Sequence, residues 1–213
     1  MTPETGPATM AERIVAVHRS FDAAEIPHAF GRAIALPYHT LRPRATSDID
    51  INVALPGMDA ERVFRSMPPQ VKWTGQLIRV AQARGEVRLR WMRSGSINLF
   101  FARDDYYRLV EERKEIQRFA GTSIPVISAT DRTVFKTLFN RPQDWVDIAE
   151  MLKAGTVDAS EALRWAKHLG GVEAVERLRN ALGTAPAKEE ATPNPIAHSS
   201  AGPIAQSEDG LGI

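Results

Sequence analysis

A run of fourteen residues, RPRATSDIDINVAL (42–55), constrains this chain more than any other stretch. Its second half alternates apolar and polar side chains with a period of two. Ile49, Ile51 and Val53 therefore share one face of a strand, while Asp48, Asp50 and Asn52 share the other. Two carboxylates at i and i+2 on one face repel, and each raises the other's pKa unless a cation or a set of donors lies between them. A fold that takes this strand into its core has to supply that partner.

The chain has 213 residues, of which 43% are hydrophobic and 25% charged, enough for one sizeable core or for one domain with a small helical appendage. Cysteine is absent, which removes disulfides, thiolate zinc sites and cysteine nucleophiles together and fits a reducing compartment. The opening MTPETGPATMAERIVAVHRS has no basic stretch followed by an apolar core, and no apolar run approaches membrane-spanning length. These features lead us to expect a soluble, cytoplasmic protein without a membrane partner. The net charge of +1 conceals an asymmetry: residues 184–213 carry one basic and four acidic residues, leaving 26 basic against 22 acidic on residues 1–183. Arg79, Arg84, Arg88, Arg90 and Arg93 crowd one segment, where a solvated face and a phosphate or nucleic-acid surface are equally good readings.

Periodicity predicts a helix over ATMAERIVAVHRSFDAAE, a short strand in IPHAF ending at Gly31, and a brief helix in RAIALPYHT stopped near Pro37. After the aspartate strand come a helix in GMDAERVFRSM with Asp59 as N-cap and another in TGQLIRVAQARG, opened by Thr74 and closed by Gly85. EVRLRWM and SINLFFA read as two strands joined by a turn. DDYYRLVEERKEIQRF is expected to be helical, SIPVIS a short strand, and DRTVFKTLFN, PQDWVDIAEMLKAG, DASEALRWAKHLGG and VEAVERLRNALG helices. The last thirty residues are rich in Pro, Ala, Ser and Gly and hold too few large apolar side chains to offset the entropy of ordering, so a disordered tail is expected. The division is then 1–103 as a core, 104–183 as a mostly helical C-terminal region, and 184–213 as tail.

This succession of a glycine turn opening a helix (HAFGRAIAL), an Asp-x-Asp strand led into by RAT, and a second apolar strand (SINLFF) resembles the nucleotidyltransferase superfamily, most closely its AbiEii-type, toxin-like branch. SIPVISATDRTVFKTLFNRPQDWVDIAEML is similar to the family's stretch that carries a helix lysine, an arginine and Asp-x-x-Asp, so the likeness covers roughly residues 12–155. It implies an α/β (α+β) fold: a small mixed sheet flanked by helices, with a helical C-terminal region completing a nucleotide cleft. It also implies Mg²⁺, with Mn²⁺ as an alternative, held by Asp48 and Asp50. Lys136 would then contact the triphosphate, and Arg141 and Asp147 would line the substrate cleft.

The chemistry accounts for these residue types independently of the name. Transfer of a nucleoside monophosphate from a triphosphate needs charge neutralised around phosphorus, and magnesium takes hard oxygen ligands, usually one or two carboxylates completed by water and phosphate. A residue without a Cβ, as at Gly31, lets backbone N–H groups approach phosphate where a helix begins, although the same glycine also serves an ordinary strand-to-helix turn. Arg44, Thr46 and Ser47 can donate to phosphate oxygens. His28 reads as a packed residue, and His18, His39 and His168 have no metal-like spacing. Trp145 and Trp165 fall on apolar helical stripes.

Two positions depart from the pattern. Arg32 stands where many members carry a second small residue, as a phosphate clamp or as a plug. Asn98 stands where the third carboxylate is expected, keeping a carbonyl oxygen but no negative charge and no basicity. Asp104 and Asp105 read as the start of the next helix. Two functions stay open: an enzyme transferring a nucleotide from an NTP to an RNA (tRNA-like) or protein acceptor, as a toxin with an antitoxin partner, or a degenerate module that binds nucleotide, RNA or a partner protein without turnover.

Overall fold

The computed structural model describes residues 9–40, 47–92 and 95–184. In chain order these form α1 (Met10–Ala23), β1 (His28–Phe30), α2 (Arg32–His39), β2 (Asp48–Pro56), a 3₁₀ turn (Gly57–Asp59), α3 (Ala60–Arg65), β3 (Val71–Lys72), α4 (Gly75–Arg84), β4 (Glu86–Trp91), β5 (Ser96–Ala102), α5 (Asp105–Glu112), β6 (Glu115–Phe119), β7 (Thr122–Val126), α6 (Ala129–Phe139), α7 (Pro142–Lys153) and α8 (Ala159–Thr184). The expected tail lies almost wholly outside the described residues.

Seven strands make one mixed sheet in the order β3-β4-β5-β2-β1-β7-β6. β2 runs parallel to β5 and β1 parallel to β7, and the other neighbours are antiparallel. The expected mixed sheet flanked by helices is thus what the chain forms. Period-two alternation decides the layers. Ile49, Ile51 and Val53 of β2, with Ile97, Leu99 and Phe101 of β5 and Val87 and Leu89 of β4, face a core shared with Ile14, Val17 and Phe21 of α1 and Val63 and Phe64 of α3. A second core lies among the C-terminal helices, where Tyr106, Val110, Val134, Ile148, Met151, Trp165 and Leu178 pack together. Among the described residues no helix is long and apolar enough to cross a membrane.

Several local expectations are corrected. The helix predicted from residue 104 to 119 ends at Glu112, and residues 115–119 form β6 instead. The competing signal is a two-residue hairpin: Phe119 pairs with Thr122, and Ala120 and Gly121 both take positive φ (45° and 79°), as a type I′ turn requires. α2 does not stop at Pro37 but runs through it to His39. A proline in so short a helix removes one backbone bond, and the next turn is secured by the Thr40 N–H and hydroxyl, each donating to the Leu36 carbonyl at 3.0 Å. Asp59 occupies the N-cap position of α3 without a side-chain bond, and its φ and ψ of -85° and 8° depart from the extended conformation of a capping residue. Thr74 likewise precedes α4 without capping it, while Gly85 closes that helix at φ 65°. The two-residue strand β3 was below what periodicity resolves, and the final two predicted helices are continuous except for a break at Gly171.

His28 is buried, as expected of a packed residue. Its Nδ1–H donates to the Ile26 carbonyl at 2.8 Å, which leaves Nε2 to accept from His18 Nδ1–H at 3.0 Å. Burial, reinforced by His18, lowers its pKa to about 4 against the stabilising pull of the Ile26 carbonyl. An unfolded chain takes up that proton near pH 6.5, so stability is present at neutral pH and lost as pH falls from about 6.5 to about 4, by up to ~3 kcal/mol. The melting temperature is expected to drop more between pH 7 and pH 5 in the parent than in His28→Gln. Equal drops would show that this pair does not carry the acid sensitivity.

Candidate active site

The register of β2 in the sheet builds the centre of the site. Asp48 lies opposite Ser96 and Asp50 opposite Asn98 on β5, and β4 sets Arg88 opposite Asn98. Since alternate residues face the core, the carboxylates emerge together on the other face. Asp48 accepts from Ser96 Oγ at 2.6 Å and from Arg88 Nη2 at 3.2 Å. Asp50 is only 4% exposed; its Oδ1 accepts from Asn98 Nδ2 at 3.0 Å and lies 3.5 Å from Arg32 Nε. Burial raises the Asp50 pKa above the usual carboxylate range, and Arg32 and Asn98 oppose that rise. In the described residues two arginines thus stand where the sequence called for a partner to the aspartate pair.

Gly31 is the N-cap of α2, and its N–H donates to the Asp50 carbonyl oxygen at 2.9 Å, tying the turn to the aspartate strand. A Cβ at this position would sit 3.1 Å from Ile127 Cδ1, so a larger residue would need that side chain to give way by a few tenths of an ångström. Arg32 follows with φ 42°, and its carbonyl accepts from Arg132 Nη1.

The opposite wall comes from α6 and α7. Lys136 is buried, and its Nζ donates to Asp144 Oδ1 at 2.9 Å and Asp147 Oδ2 at 2.7 Å. Arg141 Nε reaches Asp144 Oδ2 at 3.0 Å, and Gln143 Nε2 reaches Asp147 Oδ1 at 3.0 Å. Burial alone would push Asp144 up, but the bonds from Lys136 and Arg141 outweigh it and hold the carboxyl below its ordinary value. Between the two walls lies a cavity of about 300 Å³. Its polar side carries Asp48, Asp50 and Asn52, and its apolar side Phe100, Tyr107, Phe135 and Phe139. A second cavity of about 370 Å³ adjoins it across Arg32, Asp48 and Phe100, with Arg84, Arg88 and Asn98 in its wall.

Of the residues singled out from sequence, Gly31, Arg32, Asp48, Asp50, Lys136, Arg141 and Asp147 meet at the first cavity, and Asn98 opens on the second. Ser47 is exposed beside Asp48, 3.4 Å from its Oδ1, and lines neither cavity. Arg44 and Thr46 fall outside the described residues. Asp104 caps α5, accepting from the Tyr106 N–H at 2.9 Å. Arg88 and Arg90 share the exposed face of β4, as alternation predicts. Sequence reasoning missed Ser96 as the donor to Asp48, and the aromatic wall. Ser96 could have been found, since it lies two residues before Asn98 on the same strand face; the aromatics come from three separate segments that only the fold brings together.

The donor set fits a hard divalent cation at Asp48 and Asp50. Two carboxylates share one polar face, and the ionised form of Asp50 lacks solvation that a cation would replace. Among the described residues no cluster of three or more histidine or acidic side chains forms a larger metal site.

No protein-family model matches the chain, and no curated protein matches it. Solved structures do. The chain is similar to an antigenic nucleotidyltransferase-like protein from Paracoccidioides brasiliensis, at 17% identity over 83% of this chain and 93% of that one, with a TM-score of 0.46. It is also similar to the antibiotic-resistance factor ANT(2'')-Ia, at 16% identity over 80% and 89% with a TM-score of 0.42, and to JHP933 from Helicobacter pylori, at 14% identity over 81% and 87% with a TM-score of 0.34.

Proposed function

We propose that this chain is a nucleotidyltransferase that moves a nucleoside monophosphate from an NTP to an acceptor hydroxyl on an RNA (tRNA-like) or on a protein. One observation carries the reading: the Asp48/Asp50 face and the Gly31 turn are joined by a 2.9 Å backbone bond at the mouth of a cavity whose far wall bears Lys136 and Arg141. In this reading Mg²⁺, or Mn²⁺, is held by Asp48 and Asp50 and supplies the neutralising charge for phosphoryl chemistry.

The chain's own residues do the rest. The start of α2 offers backbone N–H groups to the triphosphate, and no acidic residue lies in its first turn to oppose an anion. Lys136 and Arg141 lie on the far wall, each paired with aspartate there, Lys136 with Asp144 and Asp147 and Arg141 with Asp144, so that the cluster is close to neutral and fixes the lysine in place. Phe100, Tyr107, Phe135 and Phe139 give an apolar surface on which a base can rest. The acceptor oxygen bonds to the α-phosphorus, pyrophosphate leaves, and the hydroxyl proton goes to a carboxylate, for which Asp48 is placed because it opens on both cavities. The arginines of the second cavity, Arg84 and Arg88, suit an acceptor with a phosphate backbone. A toxin-like, AbiEii-type role with an antitoxin partner is the physiological setting that this reading favours.

Asn98 supports a second reading, a nucleotide- or RNA-binding module without turnover, because it donates to Asp50 where a third carboxylate would add charge. Incubation with each labelled NTP, magnesium and total RNA tests both. Asn98→Asp keeps the shape and adds a carboxylate worth about 10²- to 10⁴-fold in proton transfer, so incorporation above the parent is expected from an attenuated enzyme. Nucleotide bound but incorporated by neither protein would establish the binding module.

A further inference from the structure

We propose that Arg32 is a built-in cation that competes with the divalent metal for Asp50, so that metal binds tightly only together with a triphosphate that draws the guanidinium away. The inference rests on the metal reading given above. Among the described residues Arg32 is the ion-pair partner of Asp50, at 3.5 Å, and it pairs with Oδ1, the oxygen that Asn98 also addresses. Its root and its head differ in freedom. The root is fixed: Gly31 is bonded to the Asp50 backbone, the Arg32 carbonyl accepts from Arg132, and φ is held at 42°, a region that side-chain-bearing residues seldom occupy. The head is not: the side chain is 43% exposed, its contact with Asp50 is long, and it rests over the Phe100 ring at 5.3 Å on the boundary between the two cavities.

A guanidinium in that position screens Asp50 and repels an incoming cation. A phosphate chain at the start of α2 changes the balance, because the planar fork of an arginine fits phosphate oxygens with two parallel bonds and gains more from a multiply charged anion than from one buried carboxylate. Moving the head from Asp50 to phosphate exposes the carboxylate to the metal. Binding of triphosphate therefore tightens binding of metal, and by linkage the metal tightens binding of triphosphate to the same degree.

The test measures Mn²⁺ binding to the full chain by electron paramagnetic resonance, with metal alone and no nucleotide. Arg32→Gln is expected to bind Mn²⁺ roughly tenfold more tightly than the parent, and Arg32→Ala likewise, whereas Arg32→Lys, which retains the charge, stays near the parent. In the presence of EDTA, inorganic tripolyphosphate is expected to raise the melting temperature of the parent more than that of Arg32→Gln. If both neutral variants bind Mn²⁺ no better than the parent while Asp50→Asn abolishes binding, the gate is overturned and the metal site stands. If no protein in the series binds Mn²⁺, the gate falls together with the metal reading.

Discussion

Asp50→Asn is expected to abolish nucleotide incorporation while leaving the protein as stable as the parent or more so. The two effects have separate causes. On the proposed reading, a metal held by Asp48 and Asp50 would stabilise developing charge by several kcal/mol, and losing a ligand of that kind would correspond to about 10³-fold in rate. Stability moves the other way. Burial raises the pKa of Asp50 in the folded protein, so its stabilising contribution is present at low pH and is lost as pH rises through that folded value. At neutral pH the ionised carboxylate is therefore a cost, which asparagine removes while keeping a hydrogen-bonding group for Asn98. Melting curves with and without Mn²⁺, beside the incorporation assay, check both halves. A variant that keeps activity, or that melts well below the parent, contradicts the account.

Lys136→Met is expected to produce the largest loss of stability of any single change in the site. The lysine is buried between Asp144 and Asp147, both themselves buried, and its ammonium bonds to each. Removing one member of a buried ionic cluster leaves uncompensated charge, typically a cost of about 3 to 5 kcal/mol. For a chain of this size that is a fall of roughly 6 to 20 °C in melting temperature. Adding Asp144→Asn and Asp147→Asn to the same protein is expected to recover most of the loss, because the cluster is then neutral. A Lys136→Met protein that melts within about 2 °C of the parent would show the triad to be energetically idle.

The parts of the fold that were legible in the sequence are those whose side-chain period is local. The alternation around Asp48 and Asp50, and that of SINLFF, gave the faces of β2 and β5 correctly, and with them the meeting of Asp50 and Asn98. Gly85 was legible because it marks a left-handed position that a larger residue enters only with difficulty, and Gly31 because it stands between a short strand and a helix. β6 was not legible: its residues continue the apolar spacing of α5, and the hairpin that overrides that spacing depends on Ala120, a residue with no preference for the left-handed region it adopts. Arg32 was legible as an anomaly but not as a contact, since nothing near it in sequence says which carboxylate its side chain meets. Lys136 was legible as part of the cleft, but its two aspartate partners could be assigned only once α6 and α7 were seen to pack.

The distances along the chain between the joined pieces set when the site can exist. The Asp48/Asp50 face, its β5 neighbours and the wall of α6 and α7 come from segments spread from residue 31 to residue 147. The pairing of Asp50 with Asn98 closes over 48 residues, and the far wall of α6 and α7 lies further along the chain, beyond β7, the strand that pairs with β1. At a synthesis rate of about 5 to 20 residues per second, a nascent chain carries its aspartates for roughly 5 to 20 seconds before Asp147 is made. During that interval the carboxylates lack the wall that encloses a substrate. On the proposed reading, prematurely ended chains would be inert for the same reason, and nucleotidyl transfer would begin only once synthesis has passed the seventh helix.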